Sequence, residues 1–262
     1  MGVARTRIPA PAGEVGAVRA LPAFGPARGV LLAHDAWGLD EEAVALAAAL
    51  AELGFSVLAP DLAGGRRARD PAEATALAAG LDAEEAMLAL AAAVDVLVAD
   101  PATRPGAIGV VGIGMGAPLG AFLATLRPEI AVVVTVDGRM PELPMETWSR
   151  SDASFVVLAG ADDGSGDDPG VGLGETGAPD GGAADPEAGL DALRAAGLAV
   201  RVVRWDEWPV TIPAAGNAID ARPALAGLIA AMLSAALGDG DGDGAGHGDG
   251  GGAGHGDGRR TR

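Results

Sequence analysis

Residues 107–117 read Ala-Ile-Gly-Val-Val-Gly-Ile-Gly-Met-Gly-Ala. A short apolar run passes through alternating glycines into a helical pattern, so the segment predicts a buried strand over Ala107–Val111, a sharp turn, and a helix over Ala117–Leu126. A turn of this kind has two chemical uses. In a nucleophile elbow the middle residue, here Gly114, is held in strained geometry so that its side chain stands over the carboxyl edge of the sheet, and flanking glycines remove steric conflict. In a dinucleotide-binding turn, Gly112, Gly114 and Ala117 supply G-x-G-x-x-A spacing, which lets the backbone approach a pyrophosphate at a helix N-terminus. Asp137, about 20 residues further on, would then read a ribose hydroxyl. Both uses fit the segment, although a dinucleotide half usually opens its domain and two strand-and-helix units precede this one.

Working outward, Gly29–Ala33, Phe55–Ala59, Ile130–Val136, Phe155–Ala159 and Leu198–Trp205 are further apolar, β-branched runs that read as buried strands. Between and after them, Glu41–Leu53, Asp82–Ala99 with Asp82 as N-cap, Pro186–Ala196 and Arg222–Leu237 read as helices. The alternation predicts an α/β fold with a mostly parallel central sheet and helices on both faces. Residues 1–237 are expected to form one domain. Within it, 161–185 is an acidic, glycine-rich loop expected to be flexible, and residues 238–262 form a Gly/Asp/His-rich tail expected to be disordered. Asp162, Asp163, Asp167 and Asp168 offer calcium-type oxygens without EF-hand spacing, and His247 and His255 could chelate a metal only by ordering that tail. Neither makes a metal site, and none is expected.

Composition narrows the chemistry. The 262 residues are 49% apolar, enough for one substantial core, and they include no cysteine and no tyrosine. All 18 basic residues are arginine. Disulfides, thiolate metal sites, cysteine nucleophiles, Walker-type phosphate loops and Schiff-base lysines are thereby excluded. A net charge of −18 argues against nucleic acid and anionic membrane surfaces as partners. The longest uncharged stretch, Pro105–Leu126, could span a bilayer by length, but its glycines and Pro118 argue for strand, turn and helix. With no apolar leader at Met1–Val15, the expected location is cytoplasmic. Composition is silent on oligomeric state.

Most of Arg7–Leu237 resembles the dienelactone hydrolase family of α/β-hydrolases. Gly29–Asp40 (GVLLAHDAWGLD) is similar to that family's first core strand and its His-Glu-x-x-Gly loop. Leu53–Leu62 (LGFSVLAPDL) is similar to its Gly-Tyr-x-x-x-x-Pro-Asp-Leu segment, and Val110–Gly116 to its Gly-x-Cys-x-Gly-Gly elbow. Val157–Asp163 (VLAGADD) falls where the strand carrying the triad acid ends, and Trp205–Ile212 where the family has Tyr-Pro-Gly-Ala-x-His-Gly-Phe. The resemblance implies an α/β-hydrolase fold and hydrolysis of lactones or carboxylic esters.

At the catalytic positions the chain departs from the family. The nucleophile position is Gly114 and the histidine position falls on Val210, while the acid is retained as Asp163. The resemblance also implies an oxyanion hole from the N–H groups of Met115 and Ala36, and places Asp35 where the family has glutamate. His34, Asp35 and Trp37 would lie at the pocket mouth, with Trp205 and Trp208 as further wall candidates. His34 reads as a structural, hydrogen-bonded histidine or as a replacement base, Ser165 as a candidate nucleophile, and Arg66, Arg67 or Arg69 as a carboxylate binder or plain solvated charge. Triad members act as a unit. The expectation is therefore a degenerate triad in a non-catalytic protein that binds a small molecule or serves as a scaffold, with no cofactor. The alternatives are a lactone or ester hydrolase with a rearranged site and a dinucleotide-binding oxidoreductase.

Overall fold

A computed structural model of the chain describes residues 2–159, 190–204 and 218–237. Its strands are β1 (Gly2–Ala10), β2 (Gly13–Leu21), β3 (Arg28–Ala33), β4 (Phe55–Pro60), β5 (Ile108–Ile113), β6 (Ile130–Val136), β7 (Ser154–Ala159) and β8 (Val200–Arg204). The helices are α1 (Glu41–Glu52), α2 (Pro71–Ala79), α3 (Ala83–Ala99), α4 (Gly116–Leu123), α5 (Met145–Trp148), α6 (Leu190–Ala195) and α7 (Ala218–Leu237). All eight strands form one sheet in the order β1-β2-β4-β3-β5-β6-β7-β8. Every strand runs in the same direction except β2, which pairs antiparallel with both β1 and β4.

The uninterrupted apolar strands follow from burial on two sides, since a parallel sheet covered by helices has no wet face. On one face Leu31, Leu58, Val110, Val133 and Phe155 pack with α3 and α4 residues such as Leu90, Val94 and Leu119. On the other, Val30, Leu32, Val57, Val111 and Val134 pack against Leu46 and Leu50 of α1 and Ile229 and Leu233 of α7. Trp148 is fully buried edge-on against Phe155, with ring centroids 5.6 Å apart. Among the described residues no helix is long and apolar enough to cross a membrane. Pro105–Leu126 instead supplies β5, the turn and α4.

Each strand and helix expected from the sequence is present, with ends displaced by a few residues where both can be compared. Three features are new. The β1–β2 hairpin, with Ala10 opposite Gly13, occupies a segment read above only for its lack of a leader. Helix α2 starts with Asp70 as N-cap, whose side chain accepts from Glu73 N–H, and with Pro71 in its first turn. The short helix α5 carries Trp148 into the core.

Asp82 caps α3 as expected, its carboxylate accepting from Glu85 N–H at 3.0 Å. An Asp82→Ala variant should lose about 1 kcal/mol, the usual value of such a cap. Urea unfolding reads this as a lower midpoint with unchanged slope.

Candidate functional site

Strand order places the site. The chain leaves β3 to form α1 on one face and leaves β5 to form α4 on the other, so the loops after these two adjacent strands diverge at their carboxyl ends. In parallel α/β sheets, ligands bind in the crevice that such a divergence opens. Here its walls are the loop after β3, with His34, Asp35, Ala36 and Trp37, and the turn after β5, with Gly114 and Met115.

The turn is built by steric necessity. A Cβ on Gly112 would lie 2.6 Å from Ala117 Cα, and one on Gly116 would lie 2.3 Å from the Ala33 carbonyl oxygen. Gly114 has φ of +48°, in the left-handed region. The strained backbone of a nucleophile elbow is thus in place, with no side chain at its apex. Its N–H donates to Val136 O at 2.9 Å, tying the turn to β6.

A Cβ built on Gly114 lies 3.2 Å from Asp35 Cβ and 3.9 Å from Asp35 Cα. Apart from Gly114's chain neighbours, these are the described heavy atoms within 4 Å of that point. Asp35 is partly buried, and its Oδ1 accepts from Trp37 N–H at 2.9 Å. Burial raises its pKa from 3.8 to about 6 against the lowering effect of that N–H bond, with the like charges of Asp40 and Glu42 adding to the rise. The carboxyl group therefore titrates close to neutrality, as a general base requires.

His34 is fully buried and both ring nitrogens are engaged. Leu62 N–H donates to Nε2 at 3.0 Å, so Nδ1 carries the proton and donates to Asp35 O at 2.8 Å. Burial lowers its pKa against the raising effects of the Asp35 carbonyl, Asp61 and Asp40. Of the two readings for His34, the structural one fits this geometry. Accepting a proton at Nε2 would break the bond that ties the loop after β3 to the loop after β4.

Ala36 and Met115 are buried together in an apolar cluster with Ala74 and Ala78 of α2, flanked by Trp37, Ala68 and Leu81. Among the described residues neither the Ala36 nor the Met115 N–H makes a hydrogen bond. These are the two donors expected of an oxyanion hole, and the first sits beside Asp35. Helix α2, overlooked in the sequence, is part of this wall; the Asp-Pro pair at 70–71 with Glu73 three residues after the cap is the signal that marks it. The loop after β4 also closes on the site, with Ala68 N–H donating to Trp37 O at 3.2 Å. Of the arginine candidates on or beside it, Arg69 is ion-paired with Glu73 and Arg66 Nε donates to Ala63 O. Arg66 and Arg67 pack their backbone against Gly38.

Asp137 ends β6 next to this turn, is exposed, and is the one described non-glycine residue with positive φ, +48°. The glycine spacing that suggested a dinucleotide is accounted for by packing at Gly112, and Gly114 borders Asp35, whose negative charge would repel a pyrophosphate. Asp163, Ser165, Trp205, Trp208 and Val210 lie outside the described residues, as do Asp162, Asp167, Asp168, His247 and His255. Among the described residues no group of three or more His, Asp or Glu is placed to hold a metal ion.

The sequence signature of the dienelactone hydrolase family matches residues 15–173. No curated protein matches the chain. Among solved structures, the protein titled m3DLH is 23% identical with a TM-score of 0.70, over 91% of this chain and 99% of that one. A dienelactone hydrolase-like promiscuous phosphotriesterase, P91, from metagenomic libraries is 22% identical with a TM-score of 0.68, over 91% of this chain and all of that one. A putative dienelactone hydrolase from Klebsiella pneumoniae is 18% identical with a TM-score of 0.67, over 89% of this chain and 98% of that one. At these identities the likeness is one of fold.

Proposed function

The chain belongs to the dienelactone hydrolase family and has its α/β-hydrolase fold, and on that premise we propose that it binds a small carbonyl compound in the β3/β5 crevice without forming a covalent acyl-enzyme. The observation that carries this reading is Gly114: an elbow with φ of +48° and flanking glycines that admit no side chain, but with no atom of its own to attack a carbonyl. Covalent acyl transfer needs a nucleophile, a base to deprotonate it and a group to orient the base. In the family alignment of motifs the first two fall on Gly114 and Val210, and only the acid, Asp163, keeps its chemistry. What supports ligand binding is the remainder, namely two unengaged N–H groups, at Ala36 and Met115, in an apolar wall.

The ligand on this reading is an uncharged ester, lactone or ketone whose carbonyl oxygen accepts from those two amides. A nucleic acid or membrane partner does not suit a chain of net charge −18. We place this chain in the cytoplasm. A second reading, hydrolysis of lactones or carboxylic esters through a rearranged site, is favoured by one specific observation: Asp35 borders the bare elbow, its Cβ 3.2 Å from where a Gly114 side chain would begin.

A mechanism-based phosphonate tests the first reading. Intact-mass analysis of the treated protein should show no adduct, whereas a Gly114→Cys/Val210→His double variant should gain one together with an acylation burst. A stoichiometric adduct on the unaltered chain would overturn the proposal.

A further inference from the structure

We propose that Asp35 is a catalytic residue that activates water for direct attack on an ester carbonyl held over Gly114. The inference rests on the carbonyl-binding reading of the same crevice and goes beyond it, because it assigns a reaction to a residue other than the triad positions. Three observations converge. First, the point where an elbow side chain would begin is bordered by Asp35, with its Cβ at 3.2 Å and its carboxyl atoms beyond 4 Å, so the carboxylate acts on that point through a molecule lying between them. Second, Oδ1 accepts from Trp37 N–H at 2.9 Å, which fixes the carboxylate on the loop after β3. Third, the Ala36 and Met115 amides stand on the same two loops, ready to take the negative charge that attack creates on the carbonyl oxygen.

Gly114 is what makes this route open. A side chain there would crowd Asp35, whose Cβ lies 3.2 Å from where it would begin. Elsewhere in the turn, glycine is forced by contacts under 3 Å to backbone atoms of Ala33, His34 and Ala117, whereas at Gly114 the neighbour is the aspartate itself. His34 cannot serve instead, since both its nitrogens are spent on Leu62 and Asp35. The partly buried Asp35 carboxyl, raised to about 6, is a stronger base than a solvated aspartate while still ionised at pH 7.

The step balances without a further reagent. Asp35 takes one proton from water as the water oxygen bonds to the acyl carbon, and the carbonyl π pair moves onto its oxygen. Collapse of that intermediate breaks the bond to the leaving alkoxide or phenoxide. The leaving oxygen takes the proton back from Asp35 or, for an acidic phenol, leaves as the anion while Asp35 releases the proton to solvent. One ester and one water give one acid and one alcohol. Because no atom of the protein is acylated, esters of acidic alcohols are the substrate class that suits it best.

The full-length chain with 4-nitrophenyl acetate tests this. Release of 4-nitrophenolate should exceed the buffer rate, show no pre-steady-state burst, and rise with pH to a plateau through a bend near 6. Asp35→Asn should lose about 100-fold, the usual worth of a positioned general base. Asp35→Gly should regain part of the rate on addition of formate, which a merely structural role for Asp35 would not allow. Equal rates in the unaltered chain and Asp35→Asn, or a rate no greater than buffer, would overturn the role of Asp35 while leaving carbonyl binding standing. A burst or phosphonate adduct would instead overturn the non-covalent reading itself, and with it this one.

Discussion

A Gly116→Ala variant is expected to lose about 3 kcal/mol or more of stability. The added Cβ would lie 2.3 Å from the Ala33 carbonyl oxygen, 2.7 Å from its carbon and 2.7 Å from the His34 carbonyl oxygen. All three atoms are backbone at the end of β3, a strand held between β4 and β5 in the middle of the sheet. No rotamer change relieves the contact; either β3 or the start of α4 must move. Gly109 is the control. A Cβ there meets Leu233 Cδ2 at 2.5 Å, nominally as close, but that atom is the end of a flexible side chain that can turn aside. Gly109→Ala should therefore cost clearly less. Thermal melts should show Gly116→Ala falling by about 10 °C, at 2–4 °C per kcal/mol for a domain of this size. Equal losses at 109 and 116 would mean that α4 is not pinned against β3 as described.

Most of the sheet was legible because of where its strands lie. β4, β5 and β6 are covered on both faces, so they appear in the sequence as mostly apolar runs such as Ile130–Val136, where Thr135 is the one polar residue. β1 is different. It is an edge strand, and Arg5, Arg7 and Thr6 along it face water for much of its length, so neither an apolar run nor clean alternation marks it. Helix α2 has five alanines in nine residues and a single leucine on its buried face, too weak a stripe to stand out, although its Asp-Pro start is plain in retrospect. At the site, the elbow could be found from Gly112 and Gly116, where steric demand at a tight turn leaves only glycine, with Gly114 between them. What could not be read were the properties that come from distant partners. The bond from Leu62 to His34 spans 28 residues. The burial that raises Asp35 depends on loops after β3 and β4 closing together, and the positive φ of Asp137 depends on how β6 ends beside the turn.

Replacing Asp35 by asparagine should make the protein more stable at pH 7 to 8, by about 2 to 3 kcal/mol. The sign follows from the direction of the shift. Above pH 6 the folded chain holds a carboxylate that burial disfavours and that unfolding returns to water, so ionised Asp35 costs stability. As pH falls from about 6 toward 3.8, the folded state takes up a proton before the unfolded state does, and this cost disappears. Asparagine never bears it, and its side-chain oxygen can still accept from Trp37 N–H. His34 acts in the opposite sense over the same range. Burial keeps it neutral when folded, whereas the unfolded imidazole protonates below its ordinary 6.5, so stability is lost as pH falls through that value. In the unaltered chain the two effects offset each other between pH 6.5 and 4. In Asp35→Asn only the His34 loss remains, so stability should start higher at pH 8 and decline through pH 6. Urea unfolding of both proteins at pH 8, 7, 6 and 5 measures this, and an asparagine variant no more stable than its parent at pH 8 would show that Asp35 is not desolvated in the fold. A residue that weakens the folded state at neutral pH yet lies against a bare elbow is the pattern expected when a carboxylate is held for its chemistry and not for packing.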